Sequence, residues 1–265
     1  MTFTQTLREM VAEQLDYREL LVQMVRRDLA LRYKQSVMGF GWAIFMPLVN
    51  TIVFSVVFTR VAPIDVDVPY PLYAFCGFLF WNFFASSLRF AVVALTSNLT
   101  LVTKVFFPRE ILSFVALFVC AVDLAVASVV LLGLMIYYRV PPSPFLLLLP
   151  VVFVVQLSFT TGMALFVSMG NLFYRDVKYL FEVLLTVWMF ATSVIYPVER
   201  VGGAIGLAMR LNPMTGILDA YRAVLFHNRP PDAMFFGWAA VVSLLTLIVA
   251  WWTFHEAEFR FAESI

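Results

Sequence analysis

The chain has 265 residues, 62% of them hydrophobic and only 13% charged, with a mean hydropathy of +0.90. A soluble domain carries about a quarter charged residues, and no soluble core of this size hides so much apolar surface, so lipid is the expected solvent for most of the chain. A formal net charge of +1 argues against a nucleic-acid binder or an acid-rich surface. Cys76 and Cys120 sit in apolar runs and read as small core residues, not as a disulfide or a metal pair.

In chain order, residues 1–38 are polar and mixed in charge, which predicts a cytoplasmic arm and no cleavable signal peptide. Within the arm, Tyr17, Leu20, Leu21, Met24, Val25, Leu29 and Tyr33 recur at three- and four-residue spacing, with Arg18, Glu19, Gln23, Arg26, Arg27 and Lys34 between them. This is an amphipathic helix suited to a membrane surface. Gly39 and Gly41 then permit a sharp change of direction.

A spanning helix needs ~20 largely apolar residues. Six segments qualify: 39–59, 70–95, 111–138, 145–172, 179–196 and 234–254. The expected fold is an all-α integral membrane protein, with the arm at 1–38, a six-span domain at 39–254 and a cytoplasmic tail at 255–265. Eleven of the 18 basic residues, all three lysines among them, fall on the side of the N-terminus, which the positive-inside rule makes cytoplasmic. Both termini are therefore expected inside. The connection 197–230 holds two apolar pieces, 204–211 and 214–226, too short to span and separated by Asn212-Pro213. Two short re-entrant helices on the outer face are expected there, the alternative being an amphipathic hairpin on the outer leaflet.

Several charged positions and one spacing stand out. Asp123 lies mid-span, where an ionised carboxylate is costly, and reads as a hydrogen-bonded acid holding adjacent helices rather than a substrate contact. Arg89 is expected to snorkel from its span. Glu182, one turn after Lys178, predicts a local pair, and Asp219 and Arg222 are spaced to pair on a short helix. His227 and Asp232 match the H-x-x-x-x-D spacing of some glycerolipid acyltransferases, a weak match with two prolines between its two fixed letters.

RDLALRYKQSVMGFGWAIFMPL at 27–48 closely resembles the opening signature of permease subunits from bacterial polysaccharide-export ABC transporters, which export O-antigen, capsule and teichoic acid chains. KVFFPREIL at 104–112, NLFYRDVKYL at 171–180 and NPMTGILDAYRAVLF at 212–226 resemble further stretches of that family, in the same order. Ser113 departs from the pattern, since proline is expected there.

The resemblance implies a homodimer of this chain with two copies of a soluble ATP-binding subunit, in the bacterial plasma membrane, exporting a lipid-linked polysaccharide. ATP and Mg²⁺ would belong to the partner, with no cofactor or metal in this chain. It implies contact with the ATPase for Arg27, Asp28 and Arg32 on the arm. In the first loop, Lys104, Phe106, Phe107, Pro108, Arg109 and Glu110 would share that role, with Phe106, Phe107 and Pro108 as an apolar knob for a groove on the partner. Arg175 and Asp176 form the second loop. Passage-lining aromatics would be Trp42, Phe45, Trp188, Phe190 and Tyr196, and an outer gate would hold Asn212, Pro213, Asp219 and Arg222.

A phosphate-cradling loop needs lysine after glycine, and Lys34, Lys104 and Lys178 follow tyrosine, threonine and valine. The chain therefore reads as a transport subunit that borrows its motor. A permease for a lipid or drug is one alternative. The other, a membrane enzyme acting on lipid-linked sugar, would need acids, histidines or metal ligands clustered at one interface, which the sequence does not suggest.

Overall fold

The computed structural model describes residues 12–34, 36–61, 63–105 and 107–261, without the side chains of residues 259 and 260, and its regular structure among these is helical throughout. Helix α1 is Arg18–Tyr33, and residues 12–16 before it are also helical. Helix α2, Gly41–Val56, continues into a π-helical turn at Val57–Val61. Then come α3 (Tyr70–Ser97), α4 (Leu99–Lys104), α5 (Glu110–Tyr137) and α6 (Leu149–Phe173), the last entered through a 3₁₀ turn at Pro144–Leu148. Helices α7 (Val177–Phe190), α8 (Gly203–Leu211), α9 (Pro213–Leu225) and α10 (Ala233–Phe261) complete the order.

Among the described residues, five helices are long and apolar enough to cross a membrane: α2 with its π turn, α3, α5, α6 with its 3₁₀ lead, and α10. The expected span at 179–196 takes a different form. Helix α7 has 14 residues, about 21 Å at 1.5 Å per residue, and is shorter than a ~30 Å hydrocarbon layer. Residues 191–196 leave the helix in turns. Their carbonyls can do so because neighbouring side chains, described below, take the place of helical N–H partners.

Helix α3 is apolar on all but the face that carries Asn82, Ser86 and Arg89, and a helix so largely apolar belongs inside a bundle. Across its spanning window α3 is 72% buried, against 11% for α2 and 17% for α10. Phe75, Phe84 and Leu88 on α3 have no exposed surface. Helices α5 and α6 pack on either side of it, and α10 packs on α6. Three prolines sit where their missing N–H costs nothing: Pro71, Pro150 and Pro213 are in the first turns of α3, α6 and α9, whereas Pro47 lies inside α2. Helix α5 runs unbroken through Ser113, whose hydroxyl meets that of Ser168 on α6 at 3.0 Å.

The arm's apolar stripe is covered by protein. Met24 is buried in a cluster with Leu95, Val102, Phe107, Ile111 and Phe254, and Tyr17, Leu20, Leu21, Val25 and Leu29 pack around it. Gly39, at φ 50, supplies the left-handed residue that turns the chain from α1 into α2.

Close packing of α6 on α10 makes one glycine necessary. A Cβ on Gly162 would lie 2.8 Å from the Leu247 nitrogen and 2.8 Å from the Thr246 carbonyl carbon, both backbone atoms. Gly162→Ala is expected to cost about 1–3 kcal/mol and to lower the thermal midpoint of the detergent-solubilised protein. Gly133→Ala, which faces open space within a helix, is expected to leave the midpoint unchanged or raise it.

Candidate functional site

An inner cleft of about 630 Å³ opens between α2, α3, α5 and α7, lined among others by Trp42, Met46, Asn50, Asn82, Arg89, Phe90, Asp123 and Met189. The arm enters it. Arg32 donates to Asp123 Oδ2 at 2.5 Å and lies over the Phe90 ring at 3.9 Å. The Tyr33 hydroxyl donates to the other Asp123 oxygen. Burial, then the bond to Asp123, pushes the Tyr33 phenol up to about 12. Arg32 thus turns into the membrane domain and ties α1 to α5, while Asp123 finds its partners on the arm.

Arg89 donates to Glu182 Oε2 on α7 at 3.0 Å. Glu182 is therefore paired across helices rather than with Lys178, whose ammonium stands over the Tyr179 ring at 4.6 Å. Both partners of the Arg89–Glu182 pair are half exposed, so it contributes little to stability.

Of the aromatics, Trp42 and Phe45 stand together on α2, edge to face at 5.5 Å and both exposed. Phe190 is exposed at the end of α7. Trp188 is packed edge-on against Phe84 and Phe159, and its indole N–H donates to Asn212 Oδ1 at 3.1 Å. The Tyr196 hydroxyl donates to the Phe190 carbonyl. Trp188, in the last turn of α7, and Tyr196, beyond its end, thus pack around the loop that follows α7, whereas Trp42 and Phe45 pair with each other on α2.

That loop is held from three directions. Asn212 caps α9 by accepting from Met214 N at 3.1 Å, while its amide donates to the Ala191 carbonyl and to Thr192 Oγ1. Arg222, only 3% exposed, donates to the Ser193 carbonyl at 2.5 Å and the Val194 carbonyl at 2.8 Å, and lies over the Tyr73 ring at 3.7 Å. Tyr70 donates to the Ile195 carbonyl at 2.8 Å. Asp219 accepts from Arg222 at 3.3 Å and from Ser193 Oγ at 2.9 Å. Gly77 on α3 leaves room for this, since a Cβ there would collide with the Val194 carbonyl oxygen and with Arg222 Nη2. Helix α9 is further fixed by Tyr221, stacked on Phe80 at 3.5 Å and donating to Gln156, whose amide in turn donates to the Phe80 carbonyl. Burial pushes the Asp219 carboxyl up, to about 6, against the opposing pull of Arg222 and the Ser193 hydroxyl.

The loop residues divide by exposure. Arg27 and Asp28 pair at 2.8 Å at the surface, and Arg27 also reaches Asn98 at 3.3 Å. Lys104, Arg175 and Asp176 are exposed. Phe107 and Pro108 are buried, so the apolar pair fills this chain's own core instead of projecting as a knob, and Phe106 lies outside the described residues. Arg109 donates its backbone N–H to Glu258 Oε1 at 3.0 Å and its guanidinium to the Glu258 carbonyl at 2.8 Å. Glu110, 1% exposed, faces His255. His227 faces Asp67 at 3.9 Å, and Asp232 caps α10 through Met234 N and Phe235 N, so the H-x-x-x-x-D pair does not meet.

Sequence reasoning missed Ser193, Gln156, His255 and Glu258. Apart from the His255–Glu258 contact, three residues apart, their partners lie 26 to 149 residues away, beyond the reach of any local spacing.

Asp123→Asn is expected to cost about 1–3 kcal/mol by leaving Arg32 without its anion. Arg32→Gln should add little in that background, a non-additivity that a double-mutant cycle in thermal unfolding reads directly. The raised Asp219 carboxyl sets a pH dependence of opposite sign to the usual carboxylate. The folded state disfavours the ionised form, so the penalty stands above pH about 6 and is relieved as pH falls through that value. Protease resistance of the 197–230 connection is expected to rise from pH 7 to pH 5, and Asp219→Asn to flatten the profile.

The family described as ABC-2 type transporter matches residues 19–226, from the arm through α9. An O-antigen export system permease protein RfbA of Myxococcus xanthus is 34% identical over 260 residues, covering 97% of this chain and 99% of that protein. Two proteins of the same name from Klebsiella pneumoniae are 26% and 24% identical over 253 residues, each alignment covering 93% of this chain and 95% of the relative. The helical, lipid-compatible fold and the end-to-end match agree with the four motifs that pointed to such a permease. The chain belongs to the ABC-2 type transporter family, as a multi-pass membrane subunit of a transporter.

Proposed function

We propose that this chain is the permease half of an ATP-driven exporter that moves a lipid-linked polysaccharide, O-antigen-like in kind, to the outer side of the bacterial plasma membrane. The observation that carries the proposal is the alignment over 99% of a relative named as an O-antigen export permease. Two copies would pair, and two soluble subunits would hold ATP and Mg²⁺.

Six crossings, with both termini cytoplasmic, are part of this reading. Helix α7 together with the turns at residues 191–196 would make the fifth crossing, with Arg175 and Lys178 at its inner end and α8 and α9 returning the chain at the outer face. The side-chain ties to the Ser193, Val194 and Ile195 carbonyls favour it, because backbone outside a helix survives at membrane depth only where protein satisfies it.

The exposed faces of α2 and α7 are available to line a passage between the two copies. Trp42, Phe45 and Phe190 offer flat faces that contact pyranose rings without gripping one hydroxyl pattern. Arg27, Asp28, Lys104, Arg175 and Asp176 are the exposed residues left for the ATPase. A stroke on the arm would reach the cleft through Arg32 and Asp123, since that pair joins α1 to the middle of α5.

Gentle solubilisation and capture of this chain should bring down a soluble ATPase in equal number. Charge reversal at Lys104 and Arg175 is expected to strip it away or uncouple hydrolysis from export. Trp42→Ala with Phe45→Ala should reduce polymer export while the assembly stays intact. Recovery of the chain without any ATPase under mild conditions would sink the proposal. Unchanged polymer export by the Trp42/Phe45 variant would remove the passage assignment and favour a lipid or drug as cargo.

A further inference from the structure

Three metal-competent side chains converge where the first turn of α5 meets the end of α10. Glu110 Oε1 lies 3.4 Å from His255 Nδ1, which lies 3.9 Å from Glu258 Oε2. Ligand atoms of all three lie within 4.8 Å of one another. Two features mark this as more than a cluster of acids. Glu110 is 1% exposed, and its second oxygen, Oε2, has no hydrogen-bond partner, while His255 Nδ1 faces the carboxylates of Glu110 and Glu258. Buried polar atoms left in that state are costly and rare. Glu258, by contrast, gives Oε1 to the Arg109 backbone N–H and keeps Oε2 toward His255.

We propose that Glu110, His255 and Glu258 form a divalent metal site, with zinc as the ion. Donors about 2.0–2.2 Å from a shared tetrahedral zinc stand ~3.4 Å apart, close to the two observed spacings. One imidazole nitrogen with two carboxylates suits zinc better than calcium or magnesium, which take oxygen shells. His255 and Glu258 lie three residues apart on one helix face, a spacing that lets both reach one ion. The ion's structural effect is a clamp, holding the start of α5 to the end of α10 beside the arm.

The test uses the full chain, captured with whatever subunits accompany it and stripped by chelator. Isothermal titration with zinc chloride is expected to show one ion per chain. His255→Gln and Glu110→Gln should each weaken binding by about tenfold or more. Cobalt(II) should give visible d–d absorption in the unaltered chain and not in His255→Gln. Glu258→His, which exchanges one ligand for another, should keep zinc and shift the cobalt spectrum. Absence of saturable zinc binding in the unaltered chain would overturn the site. So would binding that survives both His255→Gln and Glu110→Gln, or cobalt that binds without d–d bands. The cobalt spectrum of the unaltered chain decides the matter even if a variant fails to fold.

Discussion

The membrane domain depends on one constraint: polar groups inside lipid must find their partners within the protein, because no water is there to take them. The chain meets that constraint in regular helices almost everywhere, and two places need side chains to meet it. At residues 191–196 the carbonyls released from α7 are taken by Arg222, Asn212 and Tyr70. In the middle of α5 the Asp123 carboxylate is taken by Arg32 and Tyr33 from the arm.

Both solutions join separate elements of the fold. Arg222 is buried between α3, α9 and the loop after α7, so that loop cannot shift without exchanging the acceptors of a buried guanidinium. Such an element has discrete arrangements rather than a continuous range. Tyr221, Phe80 and Gln156 anchor the other side of α9 in the bundle. At the other end, the arm is fastened by its apolar stripe to the cluster around Phe107 and Phe254 and by Arg32 to the cleft wall. The arm is therefore tied to the core of the protein rather than resting on the bilayer alone.

Much of this was legible beforehand. The arm's periodicity, the turn at Gly39 and the long helices expected at 70–95, 111–138 and 234–254 follow from apolar runs and their spacing, which act locally, whereas the continuation of the last helix to Phe261, through the expected tail, does not. Asp219 and Arg222 were legible as a pair for the same reason, being one helical turn apart. Assignments that needed a partner elsewhere did worse. Glu182 has Lys178 one turn away, yet Arg89 on another helix takes it. Phe107 and Pro108 have the composition of a protruding knob, but both are buried, Phe107 in one cluster with Leu95, Val102 and Ile111. Trp188 carries the same aromatic face as Trp42, and only its position between Phe84, Phe159 and Asn212 makes it a packing residue.

The sequence by itself determined that the chain lives in lipid, where its long helices lie, and to which family it belongs, because hydropathy and motif order are properties of the chain alone. Only the tertiary structure decided which charges face inward, how an interrupted α7 is tolerated, and that Glu110, His255 and Glu258 share one point in space. The physical reason is range. Helix formation is settled by neighbours three and four residues apart, whereas the fate of a buried charge is settled by whichever group packing brings within hydrogen-bond distance, here up to 149 residues away.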